Sequence, residues 1–232
     1  MNLEISDDGA VALLRLPDGG LDEGSCSRYE REIRGFSEDD LRVLVIAGRR
    51  WEWEGGLAGA GGLVESCAAV PQPVIAAIDG PAREEGIELA LACDIRFASP
   101  ASVFRMGQVA QGRIPSAGGT QRLPRLAGMA VTARLILLGE EVDAERALDD
   151  GIIGAIANDP TTHALAAAAA IAARGPLSER LAKEAIGRGA EMPLEQALRF
   201  ETDLTVILQS TEDRAEGVRA FLEKRAPRFE GS

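Results

Sequence analysis

Two stretches of this chain are too apolar to lie anywhere but in a sheet covered on both faces. Residues 42–47 read RVLVIA and stop at Gly48, and residues 74–78 read VIAAI and stop at Asp79, Gly80 and Pro81. A strand with one wet face alternates apolar and polar side chains, whereas an unbroken apolar run belongs to a sheet packed on both sides. The second run leads through its turn into a helical stretch at 85–93. A short strand follows at 94–98 and ends at Ser99-Pro100. Successive strand–turn–helix units with apolar strands predict buried α/β packing.

Around this centre the pattern predicts a strand at 11–16, closed by Pro17, Asp18, Gly19 and Gly20, and a helix at 27–36. The second half reads as helices over 120–126, 130–138, 144–150, 162–173, 177–188, 193–209 and 213–224. Gly139 and Gly151 act as stops, and Pro176 and Pro193 sit at helix starts, where proline is tolerated. Residues 57–71 are short, rich in glycine and alanine, and read as a loop. A soft boundary is expected near Asp159-Pro160, with an α/β core carrying the candidate site over 1–159 and a helical region over 160–232.

Composition excludes several classes of function. A formal net charge of -12 is a poor match for nucleic acid, because phosphate contacts need clustered Lys and Arg. Arg113, Arg122 and Arg125 remain a local candidate for a small anion. The three cysteines, Cys26, Cys67 and Cys93, are far apart in the chain and have no metal-ligand spacing, and His163 is the single histidine. They read as reduced thiols and a structural or exposed imidazole. The longest apolar run, 164–173, is about half of a membrane span, so no membrane partner is expected. The first eight residues carry no basic segment followed by an apolar stretch, and a cytoplasmic protein is expected.

Two stretches offer chemistry. In 76–99 (AAIDGPAREEGIELALACDIRFAS) a strand runs through a tight turn into a helix beginning near Glu85. A helix start presents unpaired N–H groups and partial positive charge, suited to a developing oxyanion. Glu88, in the first turn, can act as general acid or base when desolvated. The competing reading is that Glu84, Glu85 and Glu88 only complement the helix dipole on a wet face. In 112–123 (GRIPSAGGTQRL) a Gly-rich turn opens a helix, as an anion cradle or as a packing turn; Ser116 reads as a turn or capping residue.

The stretches PVIAAIDG, ELALACDIRFAS, IPSAGGTQRLPRLAG, LLGEEVDAERALDDGII and GVRAFLEKRAPRF, in this order, resemble the crotonase superfamily, also called the enoyl-CoA hydratase/isomerase family. The resemblance implies an α/β fold, a crotonase-like spiral of ββα units with a C-terminal helical trimerisation region. It implies a homotrimer or dimer of trimers, an acyl-CoA thioester as substrate, and no cofactor beyond the coenzyme A that the substrate carries. The family's oxyanion hole uses two backbone N–H groups. The first falls at Gly55, where Glu54 and Gly56 replace the usual Gly and Asp. The second falls at Glu85, in a G-G-G-x-E run that here reads Glu84, Glu85, Gly86, Ile87, Glu88. The two glutamates of family hydratases align with Glu88 and Gln108. Phe221 and Lys224 match the pair that relatives set against the adenine end of CoA. Trp51 and Trp53 are candidates for a modified acyl pocket or for ordinary packing. The implied activity is of hydratase/lyase type. Two further readings stay open: a catalytically degenerate member serving as a binding partner or scaffold, and a CoA-thioester decarboxylase or hydrolase.

Overall fold

A computed structural model describes residues 3–6, 9–38, 41–53 and 60–232. The chain begins with β1 (Leu3–Ile5), β2 (Val11–Arg15), α1 (Glu23–Glu38), β3 (Val43–Gly48), α2 (Ala60–Ala69) and β4 (Val74–Ile78). Then come β5 (Pro81–Arg83), α3 (Glu85–Ala92), β6 (Ile95–Ala98), β7 (Val103–Arg105) and a 3-10 turn (Gln108–Gln111). The remainder is α4 (Gly119–Leu137), β8 (Glu141–Asp143), α5 (Ala144–Asp149), β9 (Ala155–Ile156), α6 (Pro160–Ala172), α7 (Pro176–Gly189), α8 (Leu194–Gln209) and α9 (Glu212–Glu223).

The main sheet runs β1-β2-β3-β4-β6-β9; β1 joins antiparallel to β2 and every other pair is parallel. A smaller sheet, β5-β7-β8, stands beside it. The apolar runs are explained by what covers each face. Leu44, Ile46, Val74, Ala76 and Ile78 point into a cluster with residues of α1, α2 and α3. Their neighbours Val43, Val45, Ala47, Ile75 and Ala77 meet Ala164, Ala168 and Ala172 of α6. Those alanines recur every four residues, so one face of α6 is smooth and can approach the sheet closely. A boundary at 159–160 thus falls just before a helix that forms one layer of the core.

The helical pattern differs from expectation at one place. Residues 60–69 are not loop but α2, with Leu63, Val64 and Cys67 buried. Gly61 and Gly62 lower the local helix propensity, and burial of that apolar face outweighs it. The gap expected between 126 and 130 is real: Gly128, at φ 82, interrupts α4. The three strands of the smaller sheet and β9 were not expected. They are two to three residues long and exist only through pairing with distant strands.

The fold narrows toward α3. The backbone of Trp51 pairs on one side with the β5 segment, its N–H donating to Pro81 O at 2.9 Å and its O accepting from Arg83 N–H at 2.9 Å. Gly86 then passes so close that a Cβ there would lie 1.7 Å from Trp51 O. Glycine at 86 is therefore a steric requirement of bringing the α3 start against this backbone.

Candidate active site

All eight residues of α3 are buried, including Glu85 and Glu88. The competing reading of these two acids as a wet helix face does not hold. Glu88 is fully enclosed. Its Oε1 accepts from the N–H groups of Ala117 at 2.8 Å and Gly119 at 2.7 Å, and its Oε2 accepts from Gln108 Nε2 at 3.3 Å. Burial pushes the Glu88 carboxyl above its ordinary range; the N–H donors of Gly119 and Ala117 oppose the shift, and the nearby charge of Glu85 adds to it. The carboxyl is thus drawn toward proton-transfer range while its position is fixed from three directions.

The Gly-rich turn serves that carboxyl. A Cβ on Gly119 would lie 2.2 Å from Met106 Cε and 3.0 Å from Glu88 Oε1, so a larger residue here would have to displace the methionine end or crowd the acid that its N–H meets. The turn is therefore a cradle, and the anion it holds is the protein's own Glu88. Ser116 is exposed in this turn and does not cap α4, whose N-cap is Gly118. The three arginines do not converge: Arg113 binds Glu85, Arg122 binds Ala117 O, and Arg125 binds Glu191.

Gln108 opens the 3-10 turn and is fully buried beside Glu88. Its Nε2 is spent on the carboxylate, and its Oε1 is buried with no hydrogen-bond partner among the described residues. A buried acceptor left unpaired costs free energy unless a ligand or water supplies a donor. That atom and the second lone pair of Glu88 Oε2 together suit a water molecule or a substrate hydroxyl.

Glu85 is the first residue of α3, and its N–H meets no backbone acceptor among the described residues. The preceding N–H, of Glu84, is occupied by Arg105 O at 3.0 Å. Among the described residues the Glu85 N–H therefore stands at the positive end of the helix with no backbone acceptor. Both glutamate side chains are engaged: Glu85 Oε1 lies 2.7 Å from Arg113 Nη1 and Glu84 Oε1 lies 2.9 Å from Arg105 Nη2. Gly55, the other expected donor, lies outside the described residues.

The remaining expected residues are elsewhere. Phe221 and Lys224 sit on exposed surface at the end of α9, with Lys224 left-handed at φ 55 as its C-cap. They are not part of the buried cluster. Trp51 is fully buried and donates from Nε1 to Gly48 O at 3.1 Å, so it packs rather than lines a pocket; Trp53 is half-buried. Cys67 and Cys93, distant in sequence, approach to 3.8 Å between their sulfurs in the core. Among the described residues there is no group of three or more His, Cys, Asp and Glu able to hold a metal, and no helix is long and apolar enough to cross a membrane.

A sequence profile described as Enoyl-CoA hydratase/isomerase matches residues 61–232. The mouse mitochondrial enoyl-CoA hydratase domain-containing protein 2 is 42% identical over 176 residues, covering 73% of this chain and 60% of that protein. The 2,3-dehydroadipyl-CoA hydratase of Escherichia coli K12 is 38% identical over 165 residues, covering 70% of this chain and 65% of that protein. Among solved structures, the enoyl-CoA hydratase of Bacillus anthracis superposes with a TM-score of 0.92 at 30% identity, over 100% of both chains. The matched region spans less than two thirds of the length of the two curated relatives just named.

Proposed function

This chain belongs to the enoyl-CoA hydratase/isomerase family, and on that premise we propose that it binds acyl-CoA thioesters and carries out hydratase/lyase-type chemistry at the Glu88–Gln108 pair. The observation that carries the reading is the pairing of a buried carboxyl, Glu88, with the N–H of Glu85 about one helical turn earlier, which has no backbone acceptor among the described residues. The thioester oxygen would take the Glu85 N–H, with the N–H of Gly55 as second donor. Gln108 Oε1 would accept one hydrogen of a water molecule, and Glu88 would take the other as the oxygen adds to the β-carbon. Glu88 would then return that proton to the α-carbon of the enolate. One carboxyl serves both transfers, because a glutamine cannot exchange protons at neutral pH. No cofactor enters beyond the CoA of the substrate.

Exposed Phe221 and Lys224 are proposed to meet the adenine end of CoA. Exposed apolar side chains on the last three helices support a homotrimer or a dimer of trimers. The substitution of Gln108 and the glutamates at 84 and 85 favours a second reading, a non-catalytic binding partner. The two separate in one experiment. At a hundredfold excess over Kd a CoA thioester should stabilise the fold by about 2.7 kcal/mol, or ~5–10 °C in Tm. Crotonyl-CoA should be hydrated, and Glu88→Gln should lower the rate ~10²–10⁴-fold. Binding without turnover selects the second reading, and no thermal shift with any thioester sinks the first.

A further inference from the structure

We infer that Arg113 is a positioning residue for the α3 start: it holds the Glu85 carboxylate aside and cancels its charge, so that a helix beginning with glutamate still offers a usable N–H to an oxyanion. This rests on the reading of the Glu85 N–H as an oxygen-binding donor.

The side chain of Glu85 cannot escape into water, since only 4% of it is exposed. An unpaired carboxylate so close to its own N–H would repel the negative charge that the N–H is meant to stabilise. Arg113 is the partner that removes this conflict, at 2.7 Å. It is itself anchored twice to the turn that carries Gln108. Its N–H donates to Gln108 O at 3.0 Å, and its Nε and Nη2 both bind Gln111 Oε1, at 3.3 and 3.0 Å. The guanidinium is thus fixed before any ligand arrives. It also couples the start of α3 to the turn that presents Gln108.

Glu84 and Arg105 supply an internal contrast. Glu84 occupies φ 49, ψ -114, a region that glycine enters freely and other residues do not, and its carboxylate pairs with Arg105 at 2.9 Å. Its N–H, however, is already bonded to Arg105 O. The two glutamates each have one arginine, but only the Arg113 pair flanks an open donor. Arg105 should therefore act on stability and Arg113 on oxygen binding.

The test compares the affinity of acetoacetyl-CoA, whose enolate places charge on the thioester-side oxygen, with that of free CoA, by calorimetry on the full chain. Arg113→Met is expected to lower the ratio of the two affinities on the order of tenfold or more, leaving free CoA within about threefold. Adding Glu85→Gly to Arg113→Met should return the ratio to within about threefold of wild type, a rescue that a merely structural arginine would not give. Glu85→Gly alone should raise the ratio, which keeps the idea testable if Arg113→Met folds poorly. Arg105→Met should lower Tm and leave the ratio in place. An unchanged ratio in Arg113→Met, or no rescue by Glu85→Gly, overturns the role of Arg113. A wild-type protein that binds acetoacetyl-CoA no better than CoA overturns the oxygen-binding reading of α3 as well, and that result shows in the wild type rather than only in the variants.

Discussion

The α3 start and the last three helices treat their side chains in opposite ways. Every residue of α3 is buried, and each of its acids has a partner within the chain: Glu85 on Arg113, and Glu88 on two backbone N–H groups and Gln108. In α7 no residue is buried, and α8 buries only Leu204. Meanwhile Ile186, Leu194, Leu198, Phe221 and Leu222 stand mostly exposed. The first encloses its side chains within the chain; the second leaves large apolar side chains in contact with water. Substitutions should therefore register as folding and chemistry in the first region, and as assembly in the second.

The largest contrast comes from adding one methyl group in each region. Gly86→Ala drives a Cβ to 1.7 Å from Trp51 O, a backbone atom that cannot step aside. A cost of about 4 kcal/mol or more is expected, read as a fall in Tm of ~10 °C or as insoluble expression. Gly187 lies inside α7 with nothing within 4 Å of its would-be Cβ. Gly187→Ala should stabilise by about 0.5–1 kcal/mol, since alanine loses less backbone freedom in a helix. Equal effects at the two positions would break the contrast.

The second contrast concerns assembly. Leu194→Glu and Leu198→Glu together put two charges on the exposed face of α8. If that face is covered by another copy, the mass measured by light scattering should fall from an oligomer to a monomer, while monomer folding, followed by circular dichroism, persists. A desolvated charge in such an interface costs several kcal/mol. Retention of the wild-type mass would show that the apolar side chains of α8 have another use.

The same two regions differ in what the sequence revealed. The central strands were legible because both faces are buried, which leaves an unbroken apolar run at 43–47 and 74–78. The α-helices after residue 119 were legible from spacing and from their glycine and proline boundaries. Strands β5, β7, β8 and β9 were not, since two or three residues carry no periodicity of their own. Within the site, Glu88 and Gln108 were named through resemblance, and the fold joins them at 3.3 Å across 20 residues of chain. The arginine partners of Glu84 and Glu85 lie 21 and 28 residues away. Nothing in local pattern ties an acid to a base at such distances. A hint was present nonetheless: glutamates at positions where glycine is usual need compensation, and Arg105 and Arg113 flank the stretch that follows. The donors from Ala117 and Gly119 were hidden in a Gly-rich turn that reads equally well as packing.

The smallest expected effect concerns pH. Burial lifts the Glu179 carboxyl of α7 to about 7, against the opposing charges of Arg174 and Arg42. Glu179 holds its proton more tightly in the folded chain than in the unfolded one, so its contribution to stability is complete below about pH 4.5 and fades as the pH rises through 7. Burial raises Glu88 in the same direction, so both regions lose some stability on the way to neutrality. Glu216 does the reverse. Its bonds to Arg225 hold it at about 2, and its contribution disappears as the pH falls from 4.5 toward 2. Glu179→Gln cannot titrate, so it should flatten part of the decline in Tm between pH 4.5 and 7. Because the group is partly exposed and screened by solvent, a change of only ~1–2 °C is expected. Glu179 is not among the partners of Glu88, and the same variant should keep the pH profile of crotonyl-CoA hydration. Glu88→Gln should lower that activity ~10²–10⁴-fold at every pH. A Glu179 variant that displaces the activity profile would show that α7 is tied to the active site after all.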